Sequence, residues 1–282
     1  MTPLTIGQSA TLACLWEVTV PKPGNVHRGA DFEDLTFADF VTSAVAIGPA
    51  LDRAGVQGRV GPAVWEAVCA TQQRVATNTN LGTILLLAPL AAVPRHVALA
   101  EGVADVLRGL TGEDAHLVYQ AIRAAAPGGL GVVAQWDLAG PAPEDLREAM
   151  RAAADRDLVA GQYARDFADL FQFVVPALRA GWDAGWDLTT SVIHAHLQLM
   201  AHFPDSLIAR KCGAPLAAEA AARAAQVLAA GPPQTPVYQE GCADLDFWLR
   251  SDGHRRNPGT TADLIAAGLF VLLRDGIIKT WK

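Results

Sequence analysis

Three short polar segments carry the residues of this chain whose types and spacing could support chemistry: residues 21–28, 77–82 and 255–263. They read PKPGNVHR, TNTNLG and RRNPGTTAD, and each adjoins an apolar stretch with helical spacing. Glycine lets a backbone approach a ligand closely, and Asn, Thr, Lys and Arg supply hydrogen bonds. Pro, Gly and Asn are also common turn residues, so a single segment would be weak evidence. Three of them, spread over the whole chain, predict one site that binds a polyphosphate.

The first segment places two cations around a glycine, directly after a predicted helix. Lys22 and Arg28 flank Gly24 and Asn25 and are suited to neutralise phosphate oxygens. The alternative is that both are solvated surface cations. Glu17 lies one turn earlier on an otherwise apolar helix, where a lone carboxylate needs a partner. Glu17 is therefore a candidate metal ligand or general base, with a salt bridge to Lys22 as the alternative.

The second segment holds two asparagines ahead of a glycine and an apolar helix. Asn78 and Asn80 are two residues apart and lead into Gly82. As helix N-caps only one of them would be needed. As a loop, the segment could direct both asparagines at one ligand; the alternative is that one of them is a plain N-cap.

The third segment allows two interpretations. Thr260 and Asp263 have the spacing of a capping box, in which Asp263 only caps the final helix. Alternatively, the helix start at Gly259 binds a phosphate or a base, with Asp263 or Asn257 holding Mg²⁺. The residues alone leave both interpretations open.

The elements that must position these residues are predicted to be helices. Strand signals are scarce, and the short run 132–134 is too short to be more than a β-like connection. We predict an all-α fold, a compact single-domain bundle of about ten helices spanning residues 1–282. Helical spacing covers residues 6–20, 36–54, 60–75, 84–92, 97–110, 113–126, 144–160, 167–180, 188–203, 216–230 and 262–275.

Composition narrows the function classes. The 282 residues are 51% hydrophobic, with a formal net charge of −7, which argues against a nucleic-acid-binding surface. The four cysteines are far apart without a CxxC pair, which is typical of reduced thiols. No signal peptide is evident, and the longest apolar stretch, 84–93, is too short to span a bilayer. We therefore expect a cytoplasmic protein without membrane or nucleic-acid partners; a homo-oligomer is left open.

Several motifs together resemble the triphosphoribosyl-dephospho-CoA synthase family. They are Glu17-Val18, Pro21-Lys22-Pro23-Gly24 with Arg28, Asn78-Thr79 with Gly82, Pro258-Gly259 with Ala262-Asp263-Leu264 and, as a weaker match, Asp205-Ser206-Leu207 with Arg210 and Gly213. Their order and spacing agree with the family over almost the whole chain.

The chain also departs from the family pattern. Asn80 and Leu81 stand where family members usually carry His and Lys, and Asp31 follows Gly29-Ala30 where the family has Gly-Ala-His. An Arg-Gly-Glu-Ala segment of the family has no counterpart, and residues 159–163 occupy that region. One Lys and one Arg that would contact phosphate are therefore missing.

The resemblance implies an all-α transferase that uses ATP as the ribosyl donor. The 2′-hydroxyl of 3′-dephospho-CoA attacks the ribose C1′ of ATP, and adenine leaves. It implies Glu17, Asp31 and Asp263 as catalytic candidates, and Glu17, Asp205 and Asp263 as ligands of the Mg²⁺ that accompanies ATP. The implied substrate-binding residues are Lys22, Gly24, Asn25, Arg28, Asn78, Asn80, Gly82, Arg210, Asn257, Gly259 and Thr260.

The departures motivate two alternatives. One is a transferase of a ribosyl or phosphate-bearing group in the synthesis of another cofactor, such as a pterin-type one-carbon carrier, with that cofactor's precursor replacing dephospho-CoA. The other is a nucleotide-binding protein without catalysis.

Overall fold

The computed structural model describes residues 3–127 and 136–278, and this part of the chain contains fourteen α-helices. They are α1 (Ile6–Thr19), α2 (Phe37–Gln57), α3 (Val60–Gln72), α4 (Leu81–Ala92), α5 (Leu99–Arg108), α6 (Gly112–Ala125), α7 (Leu146–Ala153), α8 (Leu158–Ala164), α9 (Val175–Asp183), α10 (Leu188–His202), α11 (Ser206–Cys212), α12 (Ala214–Ala229), α13 (Pro236–Arg250) and α14 (Gly259–Arg274). A π-helical turn, Leu170–Val174, leads into α9, and a four-residue extended segment, β1 (Ser251–His254), follows α13.

The predicted all-α class is confirmed, but the helices outnumber the predicted ten. The stretch 144–160 divides into α7 and α8, because Asp157 caps a new helix by accepting hydrogen bonds from the N–H groups of Val159 and Ala160. The short α11 and the longer α13 were not predicted. The predicted connection at 132–134 lies outside the described residues.

Local capping chemistry starts several helices. Thr5, Thr36 and Thr111 each form a reciprocal capping box with the residue three positions later, and these begin α1, α2 and α6. Helix α1 ends just before Pro21, which would lack the N–H needed to continue it. The loop that carries Lys22 and Asn25 therefore starts at a fixed place.

Helices α4 and α14 lie at the centre of the fold. Nearly every residue of α4 is buried, and so are most residues of α14. Helix α14 packs against α1, α4, α9 and α10. Because both helices start from predicted site segments, this packing also brings the second and third segments together.

The hydrophobic core has two parts. The larger one takes residues from α1 to α10 and from α14, while a smaller cluster joins α10 to α11, α12 and α13. Helix α10 contributes to both clusters, so α11–α13 are anchored to the main core. The assignment of one domain to residues 1–282 stays a prediction. Among the described residues, no helix combines the length and the apolar character needed to cross a membrane.

Candidate active site

One cavity of about 940 Å³ is lined by residues from all three polar segments. The predicted site residues that line it are Glu17, Asn25, Asn78, Asn80, Gly82, Arg210, Asn257, Gly259, Thr260 and Asp263. The predicted residues outside this lining are Lys22, Gly24, Arg28, Asp31 and Asp205. The structure thus brings together segments that are up to about 240 positions apart in the sequence.

Asp263 lies where the first turns of α4 and α14 meet. The hydroxyl of Thr83 donates a hydrogen bond of 2.5 Å to Asp263 Oδ1. Gly82 packs against the same carboxylate, and a Cβ at residue 82 would stand only 2.1 Å from Asp263 Oδ2. Glycine is required here because the carboxylate occupies the space of a side chain.

The environment of Asp263 keeps its proton affinity high. Burial raises the pKa of Asp263 to about 7, and the neighbouring negative charges of Glu17 and Asp205 act in the same direction. Hydrogen bonds from Thr83 oppose this shift without cancelling it. A carboxyl group with such a pKa can both accept and release a proton near neutral pH.

The capping interpretation of Asp263 is wrong. Helix α14 begins at Gly259, and its N-terminus has no side-chain cap. The hydroxyl of Thr260 accepts a hydrogen bond of 3.1 Å from the hydroxyl of Ser206, and Asp263 bonds to Thr83 on α4. Asp263 therefore joins two helices instead of closing its own.

Glu17 and Lys22 form the salt bridge that was the alternative to a metal role for Glu17. Lys22 Nζ lies 2.8 Å from Glu17 Oε1, and the exposed fractions of the two side chains are 0% for Lys22 and 11% for Glu17. The same ammonium group donates to the carbonyl oxygens of Glu17 (2.5 Å) and Val20 (3.2 Å). An ammonium group has three N–H donors, and these three acceptors use them all. Lys22 thus supports Glu17 from behind the cavity instead of reaching a phosphate.

The rest of the first segment is held by α13. Gly24 has a left-handed backbone (φ 77°), and its N–H donates a hydrogen bond of 2.7 Å to Asp246. Arg250 pairs with Asp246 and donates to the carbonyl oxygen of Asn25. The role of Gly24 is therefore to let the loop turn so that Asn25 faces the cavity.

Arg28 and Asp31 lie in the exposed turns that follow. Arg28 is exposed and lies between His27 and Ala30, which form a short antiparallel bridge. Asp31 is also exposed and accepts a hydrogen bond of 2.6 Å from the N–H of Phe37, at the start of α2. The placement of Arg28 favours the solvated-cation alternative, and that of Asp31 favours a structural turn.

Asp205 ties α11 to α14. Its Oδ1 accepts hydrogen bonds from the N–H groups of Leu207 and Ile208, and its Oδ2 accepts from both the N–H and the hydroxyl of Thr261. Burial raises the pKa of Asp205, and these hydrogen bonds oppose the shift. With both oxygens occupied in this way, Asp205 anchors the third segment and is not positioned to ligate a metal in the cavity.

Three buried asparagines around the cavity have amide atoms without partners among the described residues. These atoms are Asn25 Oδ1, Asn80 Nδ2 and Asn257 Oδ1, and the exposed fractions of the three residues are 5%, 8% and 7%. Asn78 differs, since its Oδ1 accepts a hydrogen bond of 3.1 Å from the N–H of Leu81 and so caps α4. Buried polar groups are rarely left unpaired in proteins, so these atoms are candidate contacts for a ligand in the cavity.

A cationic wall of the cavity, made of Arg156, Arg210 and Lys211, includes two residues that the sequence analysis missed. Arg210 pairs with Asp157, and Lys211 Nζ lies 3.5 Å from the carbonyl oxygen of His254. Burial lowers the pKa of Lys211. Lys211 directly follows Arg210 in the sequence, and that adjacency was the signal that could have identified it.

Another part of the cavity is mainly apolar. This apolar arm is lined from α3, α6 and α7 by Val68, Ile122, Leu146, Ala149, Met150 and Ala153, and Thr71, Gln72 and Tyr119 are polar residues of the same helices that also line the cavity. Tyr119 donates a hydrogen bond of 3.0 Å to the carbonyl oxygen of Trp136, which lines the cavity together with Asp137. The cavity therefore joins a polar end with carboxylates, amides and cations to a mainly apolar arm.

No group of three or more His, Cys, Asp or Glu side chains is arranged to hold a metal ion within residues 3–127 and 136–278. Glu17 and Asp263 are two of the five carboxylates that line the cavity among the described residues; the others are Asp34, Asp137 and Asp157, and Asp157 is paired with Arg210. One or two carboxylates are typical of sites where Mg²⁺ arrives with substrate phosphates and keeps several waters.

Comparison with known proteins identifies the family and the fold. Residues 3–280 match the model of the family CitG, described as ATP:dephospho-CoA triphosphoribosyl transferase. A crystal structure from Archaeoglobus fulgidus, described as a candidate triphosphoribosyl-dephospho-CoA synthase, is similar in fold with a TM-score of 0.63 and 23% sequence identity, and the match covers 85% of this chain and 99% of that chain. No curated protein matches the chain significantly.

Proposed function

The chain belongs to the CitG family of ATP:dephospho-CoA triphosphoribosyl transferases and is a transferase; we propose that the cavity described above is its active site. The family reaction moves the triphosphoribosyl group of ATP to dephospho-CoA. The observation that carries the proposal is the set of unpartnered amide atoms of Asn25, Asn80 and Asn257 around the cavity that Asp263 lines. Buried donors and acceptors of this kind fit a ligand with hydroxyl and ring-nitrogen groups, such as a nucleotide.

The triphosphate of ATP binds at the cationic wall. Arg210 and Arg156 carry guanidinium groups, whose planar N–H forks match phosphate oxygens, and Lys211 adds a point charge beside them. These three residues take the place of Lys22 and Arg28, which the sequence analysis had put in this role. The asparagines then contact the ribose hydroxyls and the adenine that lie beyond the phosphates.

Asp263 acts as the general base. The 2′-hydroxyl of dephospho-CoA loses its proton to Asp263 as its oxygen bonds to C1′ of the ATP ribose. The bond from C1′ to adenine breaks, and adenine leaves with the electron pair and takes up a proton from water. A pKa of about 7 suits this role, since a base works best when its pKa is near the working pH.

Glu17 stabilises the positive charge that develops on the ribose as adenine leaves. Its carboxylate lines the cavity, and Lys22 holds it in a fixed position from the other side. A preorganised negative charge in a partly dry site favours such a transition state more than water does.

Mg²⁺ is the cofactor that the donor set fits, as an ion carried by ATP. Glu17 would supply one carboxylate ligand, which leaves Asp263 free to act as the base, while phosphate oxygens and water complete the coordination. The ion would neutralise phosphate charge and so reduce repulsion between ATP and the carboxylates. We expect calorimetry to detect ATP binding with Mg²⁺ and to find it at least tenfold weaker with EDTA; equal binding in both buffers would contradict this assignment.

The decisive experiment is incubation of the purified protein with ATP, Mg²⁺ and dephospho-CoA, with released adenine measured by chromatography. We expect one adenine for each triphosphoribosylated product, and almost none from Asp263→Asn. Asp244→Asn is the matched control, because Asp244 is exposed on α13 and outside the cavity lining. ATP binding without adenine release from the wild-type protein would overturn the proposal in favour of a different acceptor or a non-catalytic nucleotide-binding protein.

A further inference from the structure

The apolar arm contains one buried hydroxyl group that lacks a hydrogen-bond partner among the described residues. Thr71 Oγ1 has no hydrogen-bond partner within the described part of the chain, and Thr71 is only 4% exposed. Thr71 lies on α3 and lines the cavity among aliphatic side chains. An unpartnered hydroxyl in such a place indicates a ligand that is mostly apolar and carries an occasional hydrogen-bonding group.

Phosphate and ribose are poor candidates for this arm. Its walls from α3, α6 and α7 are formed mainly by Val68, Ile122, Leu146 and Met150, which offer no hydrogen bonds to replace those lost with water. Adenine fits less well than an aliphatic chain, since its ring nitrogens and amino group need several partners along one edge. The hydroxyl of Tyr119 is already engaged with Trp136.

We propose that the apolar arm binds the pantetheine chain of the acceptor and that the hydroxyl of Thr71 contacts one of its two amides. This inference rests on the proposed function, in which dephospho-CoA is the acceptor. Pantetheine is a narrow, uncharged chain of methylene and dimethyl groups interrupted by amides, so it matches both the aliphatic walls and the single hydroxyl. The arm then sets the preference for a CoA-type acceptor over a plain nucleotide.

The position of the cations agrees with this orientation. Arg156 follows α7 closely in the chain, and α7 contributes Leu146, Ala149 and Met150 to the arm. The diphosphate of the acceptor would share Arg156 with the triphosphate of ATP, which binds mainly at Arg210 and Lys211, and it would connect a pantetheine in the arm to an adenosine whose 2′-hydroxyl reaches the carboxylate end. One acceptor molecule can therefore span both parts of the cavity.

Two substitutions in the arm test the inference. Thr71→Val removes the hydroxyl while keeping the shape, and Ala153→Phe narrows the arm at the end of α7. We expect each to raise KM for dephospho-CoA about tenfold, as for the loss of one good contact, and to leave KM for ATP unchanged. Ser191→Ala is the matched control, because Ser191 Oγ is also buried and unpartnered among the described residues but does not line the cavity.

A binding measurement separates this inference from the transferase activity itself. We expect calorimetry to detect binding of 4′-phosphopantetheine to the wild-type protein, about tenfold weaker binding to Thr71→Val and unchanged binding to Ser191→Ala. If the wild-type protein released no adenine but showed this binding pattern, the transferase proposal would fail and the arm assignment would stand. A higher KM for ATP with an unchanged KM for dephospho-CoA would assign the arm to adenine and overturn the inference, as would equal binding to both hydroxyl variants.

Discussion

Lys22 and Asn257 come from two regions that look alike in sequence, yet their side chains differ in hydrogen bonding in the structure. Lys22, after α1, is fully buried and uses its ammonium group on Glu17 and Val20. Asn257, before α14, is also buried, but its Oδ1 has no partner among the described residues. A buried polar group with all its partners holds the protein together, whereas an unpartnered group that lines the cavity is a candidate ligand contact.

The largest effect is expected at Asp263, which belongs to the ligand-facing region. Asp263→Asn removes the proposed base and should lower kcat by about 10²–10⁴-fold. The amide can still accept the hydrogen bond from Thr83, so the fold should persist. Steady-state adenine release measures the loss of kcat, and circular dichroism shows whether the fold persists. A variant that lost its helical signal along with its activity would assign Asp263 to the structural class instead.

The pH dependence of the free energy of unfolding also tests the buried environment of Asp263. The pKa of Asp263 is raised from its ordinary value of 3.8 to about 7 in the folded protein, so the native state binds more protons than the unfolded state between those values. The contribution of Asp263 to stability therefore falls as pH rises from about 4 to 7, and the penalty is then constant above 7. Asp263→Asn should flatten this slope and raise the Tm at pH 8 by about 2 °C or more. A lower Tm for Asp263→Asn than for the wild-type protein at pH 8 would contradict the expected destabilisation by ionised Asp263.

Lys22 should show the reverse pattern, with a large effect on stability. Lys22→Met leaves the Glu17 carboxylate partly buried without its counter-ion and should cost about 3–5 kcal/mol of unfolding free energy. Adding Glu17→Gln removes the unpaired charge and should restore most of that loss. Urea denaturation of the wild-type protein and the two variants tests this. If Lys22→Met unfolded like the wild-type protein and bound ATP poorly, Lys22 would be a phosphate ligand after all.

Asn78 and Asn80 of the second segment, with Asn257 of the third, also test the difference between partnered and unpartnered polar side chains. Asn80→Ala and Asn257→Ala should each raise KM for ATP about tenfold, since each removes about one hydrogen bond to the ligand, while their Tm values change little. Asn78→Ala should do the opposite, because loss of the α4 cap costs about 0.5–2 kcal/mol. Thermal melts and ATP titrations of all three variants distinguish the roles. If Asn78→Ala and Asn80→Ala changed the Tm and the KM for ATP to a similar extent, the structural role of Asn78 and the ligand-binding role of Asn80 would be contradicted.

The helical class and the asparagines that line the cavity were predictable from the sequence, because local patterns carry both. Helical spacing predicted α4 and α14, and a glycine two positions later marked Asn80 and Asn257. Which buried polar side chains have hydrogen-bond partners was not predictable from the sequence, since these partners depend on tertiary contacts. The carboxylate of Asp205 meets Thr261, 56 positions away, and Thr71 is unremarkable until its hydroxyl is found without a partner. Helices α11 and α13 were missed because each is recognised mainly by its cap, Asp205 or Thr235.

The smallest effect is expected at Arg28, the second cation of the first segment. Arg28 is exposed and outside the cavity lining, so Arg28→Ala should change the unfolding free energy by less than about 0.5 kcal/mol and leave KM for ATP unaltered. Arg210→Ala is the matched comparison, because it removes a cation from the cavity wall and should raise KM for ATP about tenfold or more. Titrating ATP into both variants at two salt concentrations separates a specific contact from general charge, since only exposed, distant charges are strongly screened. A loss of ATP affinity in Arg28→Ala as large as that in Arg210→Ala would place Arg28 back in the phosphate site and break the division between the two regions.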